Sequence, residues 1–171
     1  MSMTPGRLLR FCLAAGVVLL TAPLAGADEQ HYPYWSYDVG VGSGISRDGA
    51  FAELNAGLNT HILAWLTWRN SAYYRTVVDS DDYYGLDTSL LAGHRFPVGE
   101  RASLAGQAGI GYRVTSRRTH APFVEGGAMF RTGTVRIGAS AKYIFYGLID
   151  TNAEDDIVFN VTFAGRLRGT F

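Results

Sequence analysis

"VFNVTFAGRLRGTF", residues Val158–Phe171, is the stretch whose pattern settles the fold class. From Ile157 the odd positions are Ile157, Phe159, Val161, Phe163, Gly165, Leu167, Gly169 and Phe171. The even positions are Val158, Asn160, Thr162, Ala164, Arg166, Arg168 and Thr170. Side chains leave a strand on alternate faces, so a period of two means one strand with two different surfaces. Strands in soluble proteins run about 3–10 residues, and this one is longer. Its two surfaces therefore raise the question of which solvent each one meets.

The front of the chain narrows the answer. Arg7 and Arg10 precede the apolar run Phe11–Leu20, and "APLAGA" follows with small residues at Ala25 and Ala27. Charged, apolar and small-residue regions in that order predict a cleaved secretory signal over residues 1–27 and a mature chain over 28–171. The apolar run falls short of the roughly 20 residues a membrane-spanning helix needs. Cys12 is the only cysteine. It lies inside the signal, so disulfide, zinc-thiolate and cysteine-nucleophile chemistry drop out of the mature chain. Export without cysteine suits a bacterial envelope protein. Fifteen Lys and Arg balance fifteen Asp and Glu, and this neutrality excludes nucleic acid as an expected partner.

The alternation of the last strand returns along the whole mature chain. It predicts eight strands, at Trp35–Ile45, Phe51–Leu58, Ile62–Tyr74, Tyr83–Phe96, Ala102–Val114, Phe123–Phe130, Thr134–Tyr146 and Ile157–Phe171. The segments between them, such as "RDG" (47–49), "NTH" (59–61) and "PVGER" (97–101), carry the Gly, Asn, Asp and Pro that tight turns require. With the first strand starting on the periplasmic side, the turns after strands 2, 4 and 6 are the short ones. Those after strands 3, 5 and 7 are longer, as in outer-membrane barrels, while the short first turn departs from that rule.

Each strand has an apolar face and a polar one. The seventh sets Val135, Ile137, Ala139, Ala141, Tyr143 and Phe145 against Arg136, Gly138, Ser140, Lys142 and Tyr146. The polar faces are rich in glycine and carry both signs of charge. Asp38, Glu53, Asp87 and Glu125 stand against Arg69, Arg95, Arg113, Arg136, Lys142, Arg166 and Arg168. An eight-stranded barrel has room inside only for side chains, which small residues and mutually neutralising charges can fill. Aromatic residues near strand ends, among them Trp35, Tyr37, Trp68, Tyr84, Tyr112 and Tyr143, suit the two girdles of a membrane barrel. The expected fold is all-β, an eight-stranded antiparallel up-and-down transmembrane barrel. The third strand is its weakest segment, because "ILAWLTWRN" alternates poorly and carries tryptophans on both faces.

The stretches "YYGLDTSLLAGHRF", "ASLAGQAGIGYR" and "PFVEGGAMF", with a last strand closing on Phe171, resemble the small outer-membrane barrels of the OmpX, OmpA and opacity-protein class. The resemblance spans the mature chain and consists of alternation rather than a chemical signature. It implies residence in the cell outer membrane among outer-membrane lipids and lipopolysaccharide. It also implies recognition by the barrel-assembly machinery through the C-terminal strand ending in Phe171. It assigns no activity, since one fold hosts adhesins, structural barrels and enzymes.

Weaker resemblance extends to barrels that modify lipid A, a deacylase of the PagL type and a palmitoyltransferase of the PagP type. The deacylases carry a His-x-Ser-Asn motif in a late strand, where this chain has "AKYIFYGL" without histidine. The transferases pair an outer-leaflet histidine with a serine preceded by aspartate, where this chain has Asn70 before Ser71. Under an enzyme reading Ser71 and His120 are the candidate nucleophile and base, since a nucleophile needs its base within hydrogen-bond reach. Arg117 and Arg118 are candidates for binding lipid phosphate, a geometry that suits arginine forks. The acidic stretches "DSDDYY" and "DTNAEDD" offer carboxylates for divalent cations, although solvated loops account for them as well, and no metal or cofactor is assigned. The expected role is envelope structure and surface interaction. A lipid A acyl-modifying enzyme is the alternative, and a narrow pore for small hydrophobic compounds, opening at strand 1 or strand 3, is a third reading.

Overall fold

A computed structural model describes residues 32–46, 49–78, 80–99, 101–117, 119–132, 135–150 and 154–167. The expected signal segment, Arg118, Arg168 and Phe171 lie outside the described residues. The strands are β1 (Tyr34–Ser46), β2 (Gly49–His61), β3 (Leu66–Val77), β4 (Tyr83–Pro97), β5 (Ala102–Thr115), β6 (His120–Thr132), β7 (Val135–Ile144) and β8 (Asp156–Arg166), with one 3-10 turn at Tyr146–Leu148. They form a closed barrel in chain order. Closure runs from Ser36 opposite Arg166 to Ile45 opposite Ile157, and every neighbouring pair is antiparallel. Closure leaves no sheet edge, so the ladder satisfies the backbone amides without help from water.

The two faces are inverted relative to a water-soluble barrel. Outward, Val41, Leu54, Leu86, Phe159 and Phe163 expose 53–64% of their surface. Inward, Arg75 and Arg113 expose none and Glu53 exposes 1%. Such a wall is stable where the surroundings are hydrocarbon. The 12 residues of β3, tilted by about 45°, rise about 29 Å, close to the apolar thickness of a bilayer. Trp35, Tyr37, Trp68, Phe96 and Phe130 ring one end of the outer face, and Tyr74, Tyr84, Tyr112 and Tyr143 ring the other. The indole Nε1 of Trp68 donates to Thr88 Oγ1 at 3.0 Å, which satisfies a polar atom that lipid could not. Placing an arginine at Val161, midway along β8, is expected to cost about 2–4 kcal/mol in a bilayer, the cost of a midplane charge. Urea titration of the Val161→Arg protein in liposomes measures it; an unchanged midpoint would mean that the face does not lie in hydrocarbon.

Several elements differ from the sequence expectation. β2 continues through His61, which was expected in a turn, and β3 begins at Leu66 rather than Ile62. Trp65 consequently sits in the turn 62–65 while Trp68 faces outward, so strand 3 does not carry tryptophan on both faces. β3 runs on to Val77 and β6 starts at His120, shortening the connections expected at 76–82 and 115–121. Of the connections at that end, only 145–155 remains long. The glycine of "RDG" begins β2 at Gly49, whose φ of +112° lets the β1–β2 hairpin close tightly.

Inward glycines seat aromatic rings. Gly44 lies directly opposite Phe51, Gly85 opposite Tyr73 and Gly111 opposite Phe123. A Cβ at any of the three would collide with that ring. With the rings folded over glycine, Phe51, Val77, Ala121, Phe123, Ile144 and Val158 close into an apolar plug at the end bearing the β1–β2 hairpin, flanked by Tyr83 and Tyr146. The large neighbouring partner compensates for glycine's weak strand preference.

Candidate functional site

Beneath the plug the lumen is filled by one chain of ion pairs. Arg75 donates through Nη1 to Asp156 Oδ2 at 2.5 Å and through Nη2 to Glu53 Oε2 at 2.9 Å. Arg113 donates to both oxygens of Glu53, each at 3.1 Å, and to both of Asp87, at 2.7 and 2.8 Å. Lys142 Nζ donates to Asp87 Oδ2 at 2.8 Å and stands 4.0 Å from Glu125. Arg69 joins Glu125, at 2.7 Å, to Asp38, at 2.9 Å, and Asn59 Nδ2 donates to the second oxygen of Asp38 at 2.7 Å. Aromatic faces add to the cations: Arg75 lies 3.6 Å from the Phe51 ring centroid and Arg113 lies 3.8 Å from that of Tyr73. Burial pushes the Tyr146 phenol, outside the strands, above its ordinary pKa against the opposing pull of Arg113. It therefore adds no charge to the plug.

Alternation along each strand places these groups, and the barrel then brings distant strands together across the lumen. Arg69 and Glu125, for example, are 56 positions apart in the chain. Of the charges that the sequence marked as inward, Asp38, Glu53, Asp87, Glu125, Arg69, Arg113 and Lys142 belong to the network, whereas Arg95, Arg136 and Arg166 lie toward the other end of the barrel and Arg168 lies outside the described residues. The sequence missed Arg75 and Asp156, because "TVVDSDD" and "AEDD" have turn composition. Extending the series Arg69, Ser71, Tyr73 by one step would have found Arg75.

Ser71 and His120 are not brought together. Ser71 faces the lumen from the middle of β3, 3% exposed, opposite Gly57 on one side and Asp87 on the other. His120 begins β6 on the outer face, exposed, its ring 5.8 Å from that of Tyr112. The barrel wall separates them, so the expected nucleophile–base pair is not formed. Arg117 turns to the neighbouring connection, donating to Ser80 Oγ at 3.1 Å and to the carbonyl of Asp81, with its guanidinium 4.5 Å from the Tyr83 ring. Tyr74 and Tyr143 donate to Asp82, at 2.7 Å, and Asp155, at 2.9 Å. These contacts tie acidic loops to the outer girdle. Among the described residues, no group of three or more His, Cys, Asp or Glu side chains could hold a metal ion.

No protein-family model and no curated protein matches the sequence. Solved structures do match. The outer membrane enzyme PagL superposes with a TM-score of 0.56 at 14% identity, covering 76% of this chain and 99% of that one. A de novo designed transmembrane β-barrel gives 0.53 at 13%, covering 81% and 99%. Neisserial surface protein A gives 0.52 at 11%, covering 78% and 96%. The fold is that of the small eight-stranded outer-membrane barrels. At such identities the likeness carries the architecture and no activity.

Within this outer-membrane barrel fold, the wall offers no gap at the places expected for lateral opening. β1 is paired with β2 from Tyr34 to Ser46 and with β8 from Ser36 to Ile45. β3 is paired on both edges from Thr67 to Arg75. Chemically the lumen beneath the plug is a neutralised structural network, with Arg69, Arg75, Arg113 and Lys142 each held against at least one carboxylate. The other two His residues among the described ones lie at the opposite end of the barrel from the plug, and His31 lies outside the described residues. His61 is held between Ser36 Oγ, at 2.8 Å, and Thr67 Oγ1, at 2.9 Å, and is stacked on Tyr34 at 4.2 Å. His94 packs edge-on to Phe96 at 4.5 Å.

Proposed function

We propose that the protein is an integral outer-membrane barrel that serves envelope structure and surface interaction without chemical turnover. One observation carries the reading: buried ion pairs fill the lumen beneath the plug, and the candidate nucleophile Ser71 and candidate base His120 are split across the wall. A catalytic lipid A barrel needs a nucleophile and base that meet at the lipid-facing surface. Here the polar groups of the plug end engage one another, as Arg117 does with Ser80 and Tyr143 with Asp155. That end, with its tyrosine girdle and its acidic and basic loops, is the surface expected to face lipopolysaccharide. Export through a cleaved signal and assembly through the strand ending in Phe171 belong to the same proposal.

Lipid A from cells with and without the expressed protein provides the test. An unchanged mass spectrum is expected, with the barrel folded in the outer membrane as judged by heat-dependent gel mobility. Gain or loss of an acyl chain that disappears in the Ser71→Ala protein would overturn the absence of turnover.

A further inference from the structure

Past the ion-pair chain, toward the open end, one buried cation stands apart from it. Arg136 on β7 is 9% exposed, and Arg131, Arg95 and Arg166, of its own sign, lie within its electrostatic reach. Among the described residues no carboxylate pairs with it, whereas Arg69, Arg75, Arg113 and Lys142 each meet carboxylate oxygens at 2.5–3.1 Å. Arg136 borders a small lumenal cavity of about 60 Å³. Two more polar atoms of residues on that wall are enclosed and have no hydrogen-bond partner, Nε of Arg69, itself 5% exposed, and Oγ of Ser140. Gly138, between Arg136 and Ser140 on the same face of β7, brings no side chain into the space. Asp38 is the one carboxylate on the described wall, and its two oxygens already accept from Arg69 Nη2 and Asn59 Nδ2.

We propose that this cavity binds one small monovalent anion of the chloride class. A buried guanidinium without a partner is costly, because charges taken out of water are stable only when paired. Water would answer the unmet hydrogen bonds but not the charge. A spherical anion accepts from any direction, so it can answer the Arg136 guanidinium, the Arg69 Nε–H and the Ser140 hydroxyl together. One water needs about 10–15 Å³ of such a space. A cavity of about 60 Å³ therefore admits a halide with a few waters and excludes a phosphate ester or a lipid headgroup. Arg136 and Ser140 stand on β7 and Arg69 on β3, strands on opposite sides of the closed barrel. A bound ion thus ties the two sides across the lumen, as the carboxylates do nearer the plug.

The test follows urea unfolding of the folded full-length barrel in a non-ionic detergent, in sodium chloride and in sodium gluconate at equal ionic strength, gluconate being too large for the cavity. In wild type the midpoint is expected to be higher in chloride and to climb with the logarithm of its concentration, as for a ligand bound only by the folded state. Arg136→Gln is expected to weaken chloride binding by roughly tenfold or more, as loss of a charged hydrogen bond does. Ser140→Ala removes one uncharged donor and is expected to weaken it a few-fold; it also serves should the glutamine variant not fold. A general salt effect would be common to all three proteins. Equal wild-type midpoints in the two salts, or a chloride dependence that no folded variant of the two alters, would overturn the site. Heat-dependent mobility reports the barrel itself, so failure here leaves the proposed envelope role untouched.

Discussion

Glu53→Gln is expected to lower the unfolding free energy by about 3–5 kcal/mol, the cost of removing one partner from a buried ion pair. Glu53 accepts from two arginines at once, from Nε and Nη2 of Arg75 and from Nη1 and Nη2 of Arg113. Glutamine preserves the shape but offers one acceptor oxygen and brings an amide donor against the guanidinium groups. The two arginines, neither exposed at all, would then face each other with only Asp156 and Asp87 to compensate. Removing the repulsion should restore part of the loss. Adding Arg75→Met to Glu53→Gln is therefore expected to cost less than the sum of the single changes, a non-additivity typical of groups in one network. Urea unfolding in micelles, followed by tryptophan fluorescence, measures both. Additive single effects would show that the network is a set of independent contacts.

Gly109→Ala is expected to destabilise by about 3 kcal/mol, the upper end for overpacking, or to prevent folding. The three atoms nearest a new Cβ are Leu90 O, Leu90 C and Leu91 Cα, the last two at 2.8 and 2.9 Å. All are backbone, so no rotamer change relieves the clash and β4 must separate from β5. Gly106, on the same strand, provides the control, because a Cβ there meets nothing within 4 Å. Gly106→Ala is expected to be neutral or to stabilise by about 0.5–1 kcal/mol through reduced unfolded-state freedom. Refolding yield and urea midpoints of the two proteins, measured together, test the pair. Equal behaviour would mean that β4 and β5 do not approach as closely as described.

The alternation that revealed eight strands also assigned nearly every inward charge, because a closed wall gives parity only two outcomes. Where parity was not followed to a strand's end, the assignment failed. Counting back from inward Phe123 puts His120 on the outer face, but the expected strand began at Phe123, so a base was sought on a residue that looks the wrong way. Arg75 and Asp156 were hidden by acidic and small neighbours that resemble turns, although the strands run through them. Which charges would meet was not legible at all. Arg69 finds Glu125 across the lumen rather than along the ladder, and such a choice depends on tilt and stagger, which no local pattern encodes. The gathering of arginines at the open end was half visible. Arg95, Arg131, Arg136 and Arg166 all fall on predicted strands or turns, but their gathering at one end follows only from the closed register.

The plug of Phe51, Val77, Ala121, Phe123, Ile144 and Val158 gives the barrel the shape of a cup, stoppered at one end and open at the other. An ion entering from the open end would meet first the paired charges, the last of them Arg75 with its guanidinium against the Phe51 ring, and then the six apolar side chains. A barrel closed in this way is expected to act as an electrical insulator, so the purified protein in a planar bilayer should show no steady ion current.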